Sequence, residues 1–286
     1  MTLPNFLIAG APKSGTSSLR EYLRSHPDVF MYPREINFFD CYFDKGIKWY
    51  EKFFKNCKKE KMIGEKSPTY MYSKNVPERL HQFNPEIKLI FLLRNPVDRA
   101  YSAYWYYKKL GRKLDSFEKI VDLARGGSKT NFYTNIIIGR SKYNKYISNF
   151  KKWFTDEQIH FIKTNELKND REQTLFFLEE FLGIKKYIPN NINEVFNVGL
   201  PPRSYFLSRI CRKFELIKIK KVPLAYIINL LFLLNQRRFF QDVFGKGIYS
   251  HRLFKEHIYP PMDNKTKCKL EKVLEDEIEL WENLDY

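Results

Sequence analysis

Cysteine is scarce in this chain. There are four, Cys41, Cys57, Cys211 and Cys268, among 286 residues. None forms a C-x-x-C pair, which argues against a zinc ribbon or a thioredoxin-like redox site. Free thiols in a reducing compartment are the expectation. Long apolar runs are also missing. The longest, Val222 to Leu234, has 13 residues, whereas a membrane-spanning helix needs about 20. The N-terminal residues lack the basic and apolar regions of a secretory signal. On these grounds the chain is expected to be cytoplasmic. Internal repeats and low-complexity linkers are absent too, so one domain over residues 1–286 is expected. Acidic residues are under-represented, with 33 Asp and Glu against 50 Lys and Arg, a formal net charge of +17. Such an excess repels itself and favours an anionic partner. Charge alone leaves open whether that partner is a nucleotide, a glycan, a nucleic acid or a lipid surface.

What is present is a large apolar and aromatic content, 43% hydrophobic and 17% aromatic, which excludes a disordered or fibrous chain. Phe6 to Gly10 has the length and composition of a buried strand. A loop follows, then a helix from about Thr16 to Ser25 with Leu19, Tyr22 and Leu23 on one face. Further strands are expected at Lys61–Glu65, Ile87–Leu93 and Ile159–Lys163. The second of these hardly alternates, as suits a strand covered on both faces. Helices are expected from Pro96 to about Leu110, from about Arg171 to Leu182 with Gly183 as cap, and from about Lys265 to Asn283. Alternating strands and helices imply an α/β fold with a mainly parallel central sheet flanked by helices.

The loop Gly10-Ala11-Pro12-Lys13-Ser14-Gly15-Thr16-Ser17-Ser18 joins a strand to a helix. Free N–H groups at a helix N-terminus attract phosphate, and glycines let it approach the backbone. The glycine spacing is that of G-x-x-x-x-G-K-[ST]. However, Thr16 stands where the lysine belongs, and Lys13 lies inside the loop. A Mg-NTP enzyme also needs an acidic residue at a neighbouring strand end. Here the strongest strand ends in Leu93-Arg94. The loop therefore reads as a site for a phosphate-bearing nucleotide without a metal. Arg94 stands where open parallel sheets bind ligands, and Ser102 follows on the next helix, so the two can converge on one anion. Each also has a plain structural reading: Arg94 in an ion pair with Asp98, Ser102 facing solvent.

At this point GAPKSGTSSL and IFLLRNPVDRAYSAYWYY resemble the two nucleotide-binding motifs of the sulfotransferase family, whose donor is 3′-phosphoadenosine-5′-phosphosulfate (PAPS). The fold the resemblance implies is of the P-loop-containing nucleotide-binding type. PREINFFD, KGIKWYEKFF, EKSPTYM and FGKG are similar to the branch acting on heparan sulfate and other carbohydrates, and to bacterial-type relatives. The resemblance implies that Lys13, Ser14, Gly15, Thr16, Ser17 and Ser18 hold the 5′-phosphosulfate and that Arg94 and Ser102 hold the 3′-phosphate. It also implies that Lys246 and Gly247 close over a phosphate, that Glu35 is the catalytic base, and that Lys66 lies near acceptor and sulfate. Lys13 is the candidate to stabilise charge on the bridging oxygen as it leaves. A sulfuryl group bears less charge than a terminal phosphate, so lysines can replace a metal. Glu65 is the rival base. The histidines His26, His81, His160, His251 and His257 read as structural.

The expected function is transfer of a sulfuryl group from PAPS to a hydroxyl or amino group of a carbohydrate or glycolipid, an anionic one among the readings. The alternatives are a Mg-dependent P-loop kinase and a non-enzymatic polyanion-binding protein. For the latter, the aromatic run Tyr101–Tyr107 is the second supporting feature, although its helical spacing suits core packing. No nucleic-acid partner is expected. A basic and apolar helical insertion spans about 203–243. Its stretch 203–238 reads as a peripheral membrane contact, an acceptor lid, or a buried helix with solvated flanks.

Overall fold

A computed structural model describes residues 3–126, 131–196 and 259–284. The stretch 203–243, with Lys246, Gly247, Cys211, His251 and His257, lies outside these residues. The expectations placed on it stand apart from the fold described below.

Five strands form one parallel sheet in the order β2-β3-β1-β4-β5. They are β1 (Phe6–Gly10), β2 (Val29–Met31), β3 (Met62–Lys66), β4 (Lys88–Leu93) and β5 (Ile159–Lys163). The sequence reading finds four of these and misses β2. Three residues are too few to show a period. This strand exists through its partner, with Val29 to Met31 registered on Met62 to Gly64. Side chains alternate across a strand. Leu7, Ala9, Leu89, Phe91 and Leu93 therefore enter one apolar layer, and Phe6, Ile8, Ile90 and Leu92 enter the other. Both faces are covered, hence the near-continuous apolar composition of β1 and β4.

On the second face, α1 (Thr16–Arg24) buries Leu19, Tyr22 and Leu23. Short helices α2 (Phe38–Cys41) and α3 (Ile47–Glu51) fill the β2–β3 connection with aromatic rings, and α4 (Val76–Phe83) leads to β4. The helix α5 (Pro96–Lys109) starts on Asn95, whose side chain accepts from the N–H groups of Val97 and Asp98. This cap follows the N-terminal preference for Asn, with Pro in the first turn. After α5 come α6 (Phe117–Arg125), α7 (Phe132–Ile137) and α8 (Asn144–Phe150), then β5 and α9 (Thr164–Asn169). The next helix, α10 (Arg171–Leu182), ends on Gly183 in the left-handed conformation at φ 71°.

The C-terminal helix expected from Lys265 to Asn283 is two helices, α11 (Asn264–Val273) and α12 (Glu275–Glu282). They meet at Leu274, where φ −120° and ψ 19° break the helical path. Neither glycine nor proline marks this break, and Leu274 is buried. Packing against α5 and α6 sets the bend.

The chain runs from β1 outward through β2 and β3 on one side, then returns to β4 and β5 on the other. Strand order therefore reverses beside β1, and the crevice above its carboxyl end is where ligands bind in such sheets.

Candidate active site

Gly10 ends β1 in close quarters. A Cβ there would meet the Met71 side chain at 2.8 Å and the Phe91 ring at 3.1 Å. The loop beyond is pinned at two points, Ala11 and Ser14. The N–H of Ala11 donates to the Leu92 carbonyl at 2.8 Å. The Thr164 hydroxyl lies 2.8 Å from the Ser14 carbonyl and 3.1 Å from that of Leu93. Lys13 and Gly15 both have positive φ, 76° and 93°. Gly15 tolerates this at no steric cost; Lys13 adopts it against preference. No side chain caps the N-terminus of α1. Its first N–H groups are thus the donors that bind an anion in other strand–loop–helix sites.

Lysines and arginines gather around this terminus. The Lys13 ammonium sits over the Tyr106 ring, 4.4 Å from its centroid. Its pKa is lowered to about 8, by burial first and then by Lys109, Arg94, Lys66 and Arg99. Four cations repelling a fifth in a buried setting are costly without an anion among them. Lys66 ends β3 with its side chain only 4% exposed. Its ammonium bridges two elements, donating to Glu35 Oε1 at 2.6 Å and to Ser17 Oγ at 3.3 Å. Burial lowers its pKa and Glu35 opposes that shift. Glu35 is 43% exposed and pairs with Lys66 rather than with adjacent Arg34. Thus Lys13, Lys66, Glu35 and Ser17 share one crevice.

The remaining loop residues are placed differently. Ser14 is fully buried and Thr16 is 5% exposed. Ser18 turns its hydroxyl to the Phe196 N–H, 3.1 Å away. Arg94 stands at the end of β4, and its carbonyl accepts from the Tyr143 phenol at 2.8 Å. Among the described residues it forms no ion pair with Asp98. Ser102 is buried rather than solvent-facing. Tyr259 approaches from the segment before α11. Burial raises its pKa, and Ser102 and Arg94 beside the phenol counteract this. Its ring stacks on Trp105 at 5.6 Å.

Glu65, the rival base, neighbours Lys66 in sequence but faces the opposite side of β3, as strand alternation requires. It is 0% exposed. It accepts from Tyr50 at 2.9 Å, Tyr70 at 2.7 Å, Ser67 at 2.8 Å and the Ile36 N–H at 3.3 Å. These bonds occupy both oxygens and bind the β2–α2 loop to β3. A substrate proton has no route to them. Of the histidines, His26 accepts from the Asp28 N–H and contacts the Lys185 carbonyl. His160 is buried on β5, with its pKa pushed down to about 4 by burial. Neither faces the crevice residues named above.

Sequence reasoning passes over Tyr106, Lys109 and Tyr259. The aromatic run suggests core packing, and Tyr104 does pack there, with Tyr101, Trp105 and Tyr107 against the same layer. Tyr106 is the exception. The available signal is its spacing of four residues from Ser102, which puts both on one face of α5. Tyr259 is invisible to local patterns because 157 residues separate it from Ser102.

Among the described residues, no group of three or more His, Cys, Asp or Glu side chains gathers as a metal site. None of the helices there is long and apolar enough to cross a membrane. A parallel α/β sheet with a glycine-bearing strand–loop–helix turn and an uncapped helix start at its switch point has the P-loop-containing nucleotide-binding fold. The family is more specific: a sulfotransferase domain model matches residues 3–197. The chain belongs to that family. Mouse heparan sulfate glucosamine 3-O-sulfotransferase 6 is 31% identical over 185 residues, 65% of this chain and 54% of the relative. Mouse heparan sulfate glucosamine 3-O-sulfotransferase 5 is 32% identical over 219 residues, 75% of this chain and 61% of the relative. A crystal structure of a sulfotransferase from Alicyclobacillus acidocaldarius superposes with a TM-score of 0.58 at 27% identity, covering 66% of this chain and 85% of that one. The chain thus spans about half the length of the curated relatives it matches, 54% for the first of them.

Proposed function

We propose that this protein moves a sulfuryl group from PAPS to a hydroxyl group of a carbohydrate acceptor. The observation that carries this reading is the convergence of Lys13, Lys66, Ser17 and Glu35 beside the uncapped start of α1. Cations and free N–H groups suit the phosphosulfate, and a carboxylate at their edge suits the acceptor. The donor supplies an electrophilic sulfur on a phosphate leaving group. Lys13 and the α1 amides hold the 5′-phosphate and take up charge as its bridging oxygen departs. Arg94, Ser102 and the Tyr259 phenol form the 3′-phosphate end. Glu35 accepts the proton of the attacking hydroxyl, so the acceptor O–S bond forms as the bridging S–O bond breaks and PAP leaves. Lys66 holds the Glu35 carboxylate in place at 2.6 Å and stands close enough to Ser17 to follow the transferring group. Most of the rate enhancement then comes from positioning and preorganised charge.

The relatives named for heparan sulfate glucosamine support a sugar hydroxyl as the acceptor, and the +17 net charge supports an anionic one. The free thiols Cys41, Cys57 and Cys268 support a reducing, cytoplasmic setting. Substitution Glu35→Gln keeps the shape and removes the base. It is expected to leave PAP binding by calorimetry unchanged and to lower the transfer rate by about 10²-fold or more. Full activity in that variant removes Glu35 from the chemistry.

A further inference from the structure

Two lysines of the crevice, Lys13 and Lys66, are held in different ways. Lys66 is gripped by a carboxylate, with its ammonium 2.6 Å from Glu35 Oε1. Among the described residues Lys13 forms no ion pair. Its ammonium lies instead over the face of the Tyr106 ring, 4.4 Å from the centroid. A ring face attracts a cation through its negative quadrupole. It carries no net charge, so the ammonium keeps its own in full for an anion that arrives later. A carboxylate in the same place would have to be displaced first. The backbone is committed to this arrangement. Lys13 stands in the left-handed region at φ 76°, which costs a residue with a Cβ and persists only where the surroundings hold it. The ring is itself braced. Tyr107 meets it edge-on at 5.4 Å, and Tyr107 is edge-on to Tyr133 of α7 at 6.0 Å. Tyr106 lies one turn beyond Ser102 on the same face of α5, roughly 6 Å further along the helix axis. On the reading proposed above, one helix thus carries a ligand of the 3′-phosphate and the seat of a cation for the 5′ end.

We propose that Tyr106 is the positioning residue for Lys13: the face of its ring holds the ammonium in the crevice before the donor arrives and leaves its charge and N–H groups to the 5′ end of the donor. This rests on the reading of the crevice as a PAPS site and names what aims one of its cations. Tyr106 acts through Lys13 and through its ring face, so the phenol oxygen is dispensable and the effect vanishes once the lysine is gone.

The test is a double-mutant cycle read by titration calorimetry with two nucleotides. PAP carries both phosphates, and adenosine 3′-phosphate lacks the 5′ one. Tyr106→Leu is expected to weaken PAP binding by about fivefold or more and to leave adenosine 3′-phosphate binding unchanged. Tyr106→Phe, which keeps the ring face, is expected to bind PAP within about twofold of the wild type. In a Lys13→Met background, Tyr106→Leu is expected to cause no further loss. Unchanged PAP affinity in Tyr106→Leu overturns the proposal. So does a full additional loss in the Lys13→Met background, or a Tyr106→Phe variant as weak as Tyr106→Leu. An equal loss for both nucleotides in Tyr106→Leu also overturns it, because Tyr106 is then a support of α5. A wild-type protein that does not bind PAP, or a Lys13→Met variant that binds it as well as the wild type, overturns the donor reading itself. That outcome is distinct, and it removes the role of Tyr106 with it.

Discussion

Lys13 is the residue on which the electrostatics of the crevice turn. Its pKa of about 8 means that the ammonium loses its proton as pH rises through 8, not through the usual 10.5. A bound anion opposes the repulsion from Lys109, Arg94 and Lys66 and restores the ordinary range. Binding above pH 8 therefore takes up a proton, and affinity must fall as pH rises. PAP affinity is expected to drop by about tenfold or more between pH 7.5 and 9.5 if Lys13 alone recovers its proton on binding. Calorimetry in buffers of different ionisation heat checks the proton uptake directly. A flat affinity over that range contradicts the charge cluster. Lys13, Arg94 and Glu35 were legible from the sequence because strand, loop and family motif gave them positions. The pairing of Glu35 with Lys66 was not, since it joins the loop after β2 to the end of β3, 31 residues further on. Nor was the silence of Glu65, which depends on four donors brought in by folding.

Elements carry the site only if β1, β3 and β4 stay in register. Phe6 on β1 lies opposite Gly64 on β3. A Cβ at Gly64 would sit 2.4 Å from the Phe6 ring, and Phe6 is fully buried. Gly64→Ala is thus an overpacking change, expected to cost about 1–3 kcal/mol. Thermal denaturation checks this as a melting temperature lower by several degrees. An unchanged melting temperature shows that β3 can shift away from β1. Strands covered on both faces were readable because their composition is apolar throughout. The short β2 and the break at Leu274 were not, since one depends on pairing and the other on packing against α5 and α6. The face of α5 was half legible: its aromatic run announced a buried helix. Which ring met the loop rather than the core required the fold.

For the whole molecule, the excess of 17 positive charges has a partial address. Lys13, Lys66, Arg94, Arg99 and Lys109 lie about one crevice. Arg99 is bound there by its own fold contacts, donating to Ser141 Oγ at 2.6 Å and to the Ile137 carbonyl. Lys66 pairs with Glu35, and on the proposed reading Lys13 and Arg94 meet the phosphates of the donor. The rest of the surplus agrees with the anionic acceptor proposed above, which a basic surface would draw in at low ionic strength. The central claim is sulfuryl transfer, and one measurement addresses it most directly. The wild-type protein is incubated with sulfur-labelled PAPS and a panel of glucosamine-containing and other oligosaccharides, and the products are resolved by mass spectrometry. The account predicts a labelled sugar carrying one added sulfuryl group, absent when Glu35→Gln replaces the wild type. PAP binding without label in any acceptor of the panel contradicts it.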